Sequence, residues 1–222
     1  MKVELHLHTS RYSACSQNTP AAMMERLIQT GYDAVFITEH NAVWSDEEIA
    51  QLQSGYPEIK IFPGVELSTG VDGSQHILVL GTTDSEYLKL RSAEQILQKS
   101  RQDGCLSVLA HPFRWAGGAE ILKGKILPDA IEYYSGNHKH PDAEMTLEVS
   151  KRLNLPIVNT GDVHSLADIN QFWIETHYPI ESASDIRKVI LERAYDNCVF
   201  GDLLKNAVRG DLYRRGKDYF CR

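Results

Sequence analysis

Short apolar runs alternate with helix-like stretches along almost the whole chain. This alternation is the strongest limit on its fold, because strands separated by helices pair in parallel. Residues 3–8 (VELHLH), 34–38 (AVFIT), 59–67 (IKIFPGVEL), 76–81 (HILVLG), 106–110 (LSVLA), 130–134 (AIEYY) and 156–160 (PIVNT) read as strands. The first helix is capped by Asn18 or Thr19, carries Pro20 in its first turn, and runs to about Thr30, where Gly31 ends it. A second starts at Ser45, with Glu48 completing a capping box, and runs to Leu52. Others span 91–103, 142–153 and 184–195, and Met145, Val149 and Leu153 recur at four-residue steps in the fourth. Seven such strands predict a closed or nearly closed TIM-like βα-barrel. An open doubly wound sheet is the alternative, but no Gly-rich phosphate loop marks its switch point. The 222 residues contain no repeat or linker, so residues 1–222 are expected to form one domain.

The formal charge of −7 does not advertise a nucleic-acid surface. Lys205, Arg209, Arg214, Arg215, Lys217 and Arg222 interleave with Asp202, Asp211 and Asp218, as on a solvated helix face and tail. Cys15, Cys105, Cys198 and Cys221 have no Cys-x-x-Cys spacing, and the first residues lack an apolar signal core. No apolar run approaches the roughly 18–20 residues of a membrane span. These features predict a cytoplasmic protein with free thiols and no membrane partner. They leave the oligomeric state open.

Nine histidines are the unusual feature of the composition. His6 and His8 close the first strand, Glu39 and His40 follow the second, and Glu66 lies near the end of the third. His76 opens the fourth, His111 follows the fifth, and Asp162 with His164 follow the seventh. Apart from His76, all sit where a strand ends, and in βα-barrels that is the end carrying the active site. Residues two apart on a strand share a face, so the pairs His6/His8 and Asp162/His164 can converge. Imidazoles and carboxylates suit Zn²⁺, Mn²⁺ or Fe²⁺. A buried glutamate can bridge two such ions about 3.5–4 Å apart.

The segments His-Leu-His (6–8), Thr-Glu-His (38–40), Pro-Gly-Val-Glu (63–66), His76, Ala-His-Pro-Phe (110–113) and Gly-Asp-Val-His (161–164) resemble, in order, the metal-binding motifs of the PHP (polymerase and histidinol phosphatase) family of metal-dependent phosphoesterases. The resemblance implies a distorted seven-stranded barrel holding two or three divalent ions. It implies that His6, His8, Glu66 and Asp162 hold one ion. Glu66, His76 and His111 hold a second, with Glu66 bridging, and His40 and His164 take part in a third. Many relatives place an Asp or His in the loop after the first motif, where this chain has Ser10-Arg11-Tyr12-Ser13-Ala14-Cys15. The third site is therefore weak, water-completed or served by Cys15. Glu39 stands where many members have Asp, as a partner behind the ligands.

The expected chemistry is hydrolysis of a phosphomonoester or small phosphodiester by a metal-bridging hydroxide. Arg11 and Arg114 are candidates to bind phosphoryl oxygens. His164 or His138 is the candidate leaving-group acid. His140, in the same loop as His138, also faces the mouth in this reading. His177 has no motif around it and reads as surface. The expected partner is a small phosphorylated substrate, with nucleic acid open but not favoured. A nuclease on the same site would need a basic, aromatic groove beyond the pocket. An amidohydrolase-type enzyme would call for a bridging lysine from the fourth strand. A non-catalytic metal-stabilised module would have lost several ligands.

Overall fold

The computed structural model describes residues 1–70, 72–138 and 140–201, together with strand segments 214–216 and 219–221. All seven expected strands form: β1 (Lys2–Leu7), β2 (Ala34–Ile37), β3 (Lys60–Thr69), β4 (Gln75–Leu80), β5 (Leu106–Ala110), β6 (Ala130–Glu132) and β7 (Ile157–Val158). Two more, β8 (Phe172–Thr176) and β9 (Tyr195–Phe200), were not foreseen, and short β10 (Arg214–Gly216) and β11 (Tyr219–Cys221) follow. The sheet order is β10-β11-β9-β8-β1-β2-β3-β4-β5-β6-β7. The segment after β7 returns to β1: Val163 N–H donates to His6 O (3.0 Å) and His8 N–H to Val163 O (2.9 Å). The result is a nearly closed, barrel-like sheet.

The helices are α1 (Pro20–Gln29), α2 (Asp46–Gly55), α3 (Ala93–Asp103), α4 (His140–Leu153) and α5 (Asp185–Leu191). Thr19 caps α1 with Pro20 in its first turn, and Ser45 with Glu48 forms the capping box of α2. Expectation and structure differ at two helices. Met145 of α4 is exposed, while Val149 and Leu153 pack against the core. α5 stops at Leu191 because residues 195–200 become β9.

The expectation of parallel pairing fails in the middle of the sheet. β1-β2-β3 and β5-β6-β7 are parallel, but β4 runs antiparallel to both β3 and β5. A short hairpin joins β3 to β4, with Gly73 at φ +71 in the turn. Reversal of β4 brings its first residues to the same barrel end as the last residues of β3, with Ser68 opposite His76.

A second irregularity lies in β1, where three steps (Glu4 to Leu7) match two in β2 (Val35 to Ile37). Val3 and Leu5 accordingly join the barrel interior with Ala34, Phe36, Val108 and Ile174, whereas Leu7 joins the outer cluster with Met23, Leu27 and Ile37. The extra residue shifts the alternation, so His6 and His8 look inward although Leu5 does too. Glu4, itself buried, takes the N–H groups of His6 (2.9 Å) and Gly161 (2.8 Å) and ties the shifted stretch to the returning segment. Ile186, Val189 and Ile190 of α5 belong to the interior cluster, leaving the opposite end for polar groups.

Cys15 and Cys105 are free, as expected of all the cysteines, but Cys198 is disulfide-bonded. The β9–β11 pairing sets position 198 across from 221. In the C-terminal basic stretch, Arg214 and Arg215 fall in a strand rather than a helix. Lys205, Arg209, Lys217 and Arg222, with Asp202, Asp211 and Asp218, lie outside the described residues. No described helix is long and apolar enough to cross a membrane.

Candidate metal centre

Glu66, fully buried near the end of β3, is the hub of the polar end. Its Oε1 lies 2.8 Å from His76 Nδ1 and 3.2 Å from His111 Nε2. Its Oε2 lies 2.7 Å from His40 Nδ1, 3.4 Å from His8 Nε2 and 3.5 Å from His6 Nε2. One carboxylate thus presents each oxygen to a different set of imidazoles. Asp162 approaches from the other side, with Oδ1 3.4 Å from His6 Nε2, 3.6 Å from His8 Nε2 and 3.4 Å from His164 Nδ1. Every expected ligand therefore converges. His76, the apparent exception among strand-end ligands, arrives because β4 is reversed.

Four ligand groupings are close enough to share an ion: His6/His8/Glu66, His6/His111/Asp162, His40/Glu66/His76 and His8/His40/His164. The groupings differ from the expected sets: Asp162 groups with His6 and His111 rather than with Glu66, His40 stands in place of His111 beside Glu66 and His76, and the His40/His164 set gains His8. Cys15 joins no grouping among the described residues.

The donor chemistry fits cations. His6 Nε2 and His8 Nε2 are 3.0 Å apart, and buried Glu66 Oε2 accepts no well-aligned hydrogen bond although His40 Nδ1 is 2.7 Å away. Nitrogen lone pairs and a carboxylate oxygen aimed at one point are satisfied by a first-row divalent ion. The ionisation states of the two carboxylates and of His8 are suited to it. Burial pushes the Glu66 carboxyl up, but His6, His111 and His40 outweigh it and hold it well below the usual range. Asp162 is lowered likewise against its burial, chiefly by His6 and His8. Burial lowers His8 to about 3, leaving it neutral. His6 goes the other way, because Asp162, Glu66 and Glu132 overcome the burial that would lower it.

Two ligands sit on left-handed backbone, His111 at φ +26 and Asp162 at φ +46. Such conformations are uncommon for residues with a Cβ and persist when the surroundings enforce them. Glu132, in β6 and fully buried, supplies part of that enforcement. Its Oε2 accepts the His111 N–H at 2.7 Å, and its Oε1 meets His6 Nδ1 at 2.9 Å and the Thr160 hydroxyl. Sequence reasoning missed this residue. The available signal was a carboxylate within the apolar run 130–134. Glu39 is the partner it was expected to be: it accepts from Ser13 Oγ (2.6 Å) and Trp44 Nε1 (3.2 Å), and Ser13 Oγ lies 3.3 Å from His8 Nδ1.

Beside the cluster is a cavity of about 280 Å³ lined by Cys15, Arg114, Gly136, Asn137, Asp162, His164 and Asp168. Arg114 and His164 therefore stand where a substrate can meet them. Arg11 does not: its guanidinium is paired with Glu48 of α2 and lies over the Tyr12 and Trp44 rings. His138 is buried, its Nδ1 donating to Tyr133 O, and it does not line the cavity. Its neighbour Asn137 does, donating to Asp162 Oδ2 at 2.7 Å. His177 is on the surface, against Asp196. His140 opens α4, and its side chain lies outside the described residues.

Residues 4–109 match the PHP domain model. No curated protein matches the chain. A two-domain protein from Bacteroides vulgatus ATCC 8482 containing a predicted PHP-like metal-dependent phosphoesterase aligns with TM-score 0.69 and 16% identity, over 89% of this chain and 64% of its own. The chain thus spans just under two thirds of that protein's length. An inferred metal-dependent phosphoesterase from Bifidobacterium adolescentis ATCC 15703 aligns at TM-score 0.60 and 13% identity, over 84% of this chain and 94% of its own. An amidohydrolase from Chromobacterium violaceum, with bound sulfate and no metal, aligns at TM-score 0.56 and 15% identity, over 74% and 88% of the two chains. At these identities the likeness is one of fold.

Proposed function

With a PHP domain in residues 4–109 as the premise, we propose that this protein is a metal-dependent hydrolase acting on a phosphomonoester or small phosphodiester. The observation that carries the reading is the buried Glu66 carboxylate, whose two oxygens face different imidazole sets beside a cavity walled by Arg114. His6, His8, His40, Glu66, His76, His111, Asp162 and His164 would hold two or three divalent ions, of Zn, Mn or Fe. Such ions supply Lewis acidity and a source of hydroxide near neutral pH.

The chain's own groups do the rest. Arg114 binds phosphoryl oxygens through its fork of N–H donors. Asn137 and the Ser165 N–H and hydroxyl groups, through Asp162 and Asp168, hold the cavity wall in place. His164 lies on that wall with Nδ1 3.0 Å from the Asp162 main-chain oxygen. That contact puts the ring proton on Nδ1 and leaves the Nε2 lone pair to hold an ion, or to take up a proton from solvent and pass it to the leaving oxygen. The cavity is small, which favours a compact ester over a polynucleotide. We read residues 1–222 as one hydrolase unit.

The test is turnover by metal-analysed protein, with and without chelator. The panel is an aryl phosphate, a bis-aryl phosphate, histidinol phosphate, mononucleotides and a short single-stranded DNA. Chelator-sensitive hydrolysis of the small esters is the expected result. Preference for the oligonucleotide would make the protein a nuclease. The Chromobacterium amidohydrolase shares the fold, so an amide panel runs in parallel. Amide turnover without ester turnover would replace the reading.

A further inference from the structure

Trp115 is 39% exposed, yet its ring centroid is 4.9 Å from that of His76 and 5.2 Å from that of His111. The guanidinium carbon of Arg114 lies 4.3 Å from the centre of the same indole ring. Nη1 of Arg114 stops 3.9 Å short of Asp162 Oδ2, and no closer acidic partner is found among the described residues. Arg11 is the contrast, with its donors taken up by Glu48. The two side chains rise where two consecutive tight turns meet, the first closed by Arg114 N–H donating to His111 O (3.0 Å) and the second by Gly118 N–H donating to Trp115 O (3.3 Å).

We propose that Trp115 is the positioning residue of an oxyanion clamp, resting the Arg114 guanidinium at the edge of the cavity, ready for a phosphoryl group. A guanidinium packed over an aromatic ring keeps its N–H edge free, and that edge makes the paired hydrogen bonds to an oxyanion. Stacking also restricts a long, rotamer-rich side chain before the ligand arrives, which lowers the ordering cost of binding. Packing on His76 and His111 places the clamp in register with the centre, so an anion held by Arg114 sits beside Asp162 and His164. The clamp rests on the phosphoesterase reading for its ligand, and its test does not depend on turnover.

The probe is inorganic phosphate, titrated into metal-loaded protein and followed by calorimetry and tryptophan emission. Trp44 and Trp173 are buried, so the solvent-facing signal belongs to Trp115. A saturable emission change is expected in the wild type and is expected to vanish in Trp115→Phe. That variant should keep the phosphate Kd within about twofold. Trp115→Ala should weaken phosphate binding about three- to fivefold, the size of an exposed cation–π contact. Arg114→Gln should weaken it by about tenfold or more, as for a lost charged hydrogen bond. Metal content should match the wild type in all three. An unchanged Kd in Trp115→Ala, or loss of phosphate binding in step with loss of metal, overturns the clamp. Clamp-dependent phosphate binding without ester turnover overturns the phosphoesterase reading alone. Ester turnover with phosphate binding untouched in Trp115→Ala and Arg114→Gln overturns the clamp alone.

Discussion

Glu132 touches two ligands by different routes, the ring of His6 and the main chain of His111. Carboxylates behind metal-bound histidines orient the ring and raise its basicity, and losing one lowers metal affinity or activity about 10–100-fold. Glu132→Gln keeps the volume but cannot accept at both oxygens. We expect that loss in a competitive chelator titration, with the far-ultraviolet spectrum unchanged; wild-type affinity would show that Glu132 only fills space. At this scale the sequence was informative about ligands and poor about their supports. His6, His8 and Glu66 belong to short motifs, whereas Glu132 has none, and its partners lie 126 and 21 residues away. Arg11 and Arg114 both follow a motif segment, yet one is taken by an acid on α2 and the other faces the cavity. His138 was drawn to the site by its loop, but its ring turned inward to Tyr133 O and is stacked 6.4 Å from that of Phe113.

The closure of β1 onto the returning segment depends on a residue without a side chain. A Cβ at Gly161 would meet Val163 Cγ2 at 2.4 Å and Glu4 Oε2 at 2.6 Å. Neither neighbour has room to move, since Val163 packs in the outer cluster and Glu4 is buried. Gly161→Ala is therefore expected to cost about 1–3 kcal/mol, as overpacking does. It should also disturb Asp162 next to it, so equilibrium unfolding in denaturant and metal content should fall together. Full stability in that variant would mean that the closure is loose. Strand positions were legible because each run is short, apolar and bounded. Strand direction was not, although Asp72-Gly73 between β3 and β4 is hairpin chemistry that could have given it. The register shift in β1 leaves no local mark, because Val3, Leu5 and Leu7 alternate as in a regular strand. β8 and β9 escaped notice because their polar residues, such as Glu175, Asp196 and Asn197, blunt the apolar signal.

The whole molecule places Glu66, Glu132 and Asp162 with several imidazoles at one end of its barrel, all but His40, His76 and His164 nearly sealed from solvent. Groups held this way are costly without a cation, because burial removes the water that would satisfy them. The folded chain presents the ligands converged, while the unfolded chain scatters them along 159 positions, from His6 to His164 counted inclusively. A metal that binds only the folded form adds stability by mass action, about 2.7 kcal/mol when free metal is 100-fold above its Kd. For a chain of this size that corresponds to roughly 5–10 °C in Tm. Exhaustive chelation should therefore lower Tm by that order. Adding back Zn²⁺, Mn²⁺ or Fe²⁺ one at a time should restore it in proportion to the logarithm of metal concentration, and the ion acting at the lowest concentration is the one the site prefers. The same scan on Glu66→Gln separates the centre from adventitious surface binding, since only the centre uses that carboxylate. If the wild type melted at one temperature with chelator and with each metal, while elemental analysis showed the metal bound, the ions would be held outside the barrel. The converging ligands would then need another explanation.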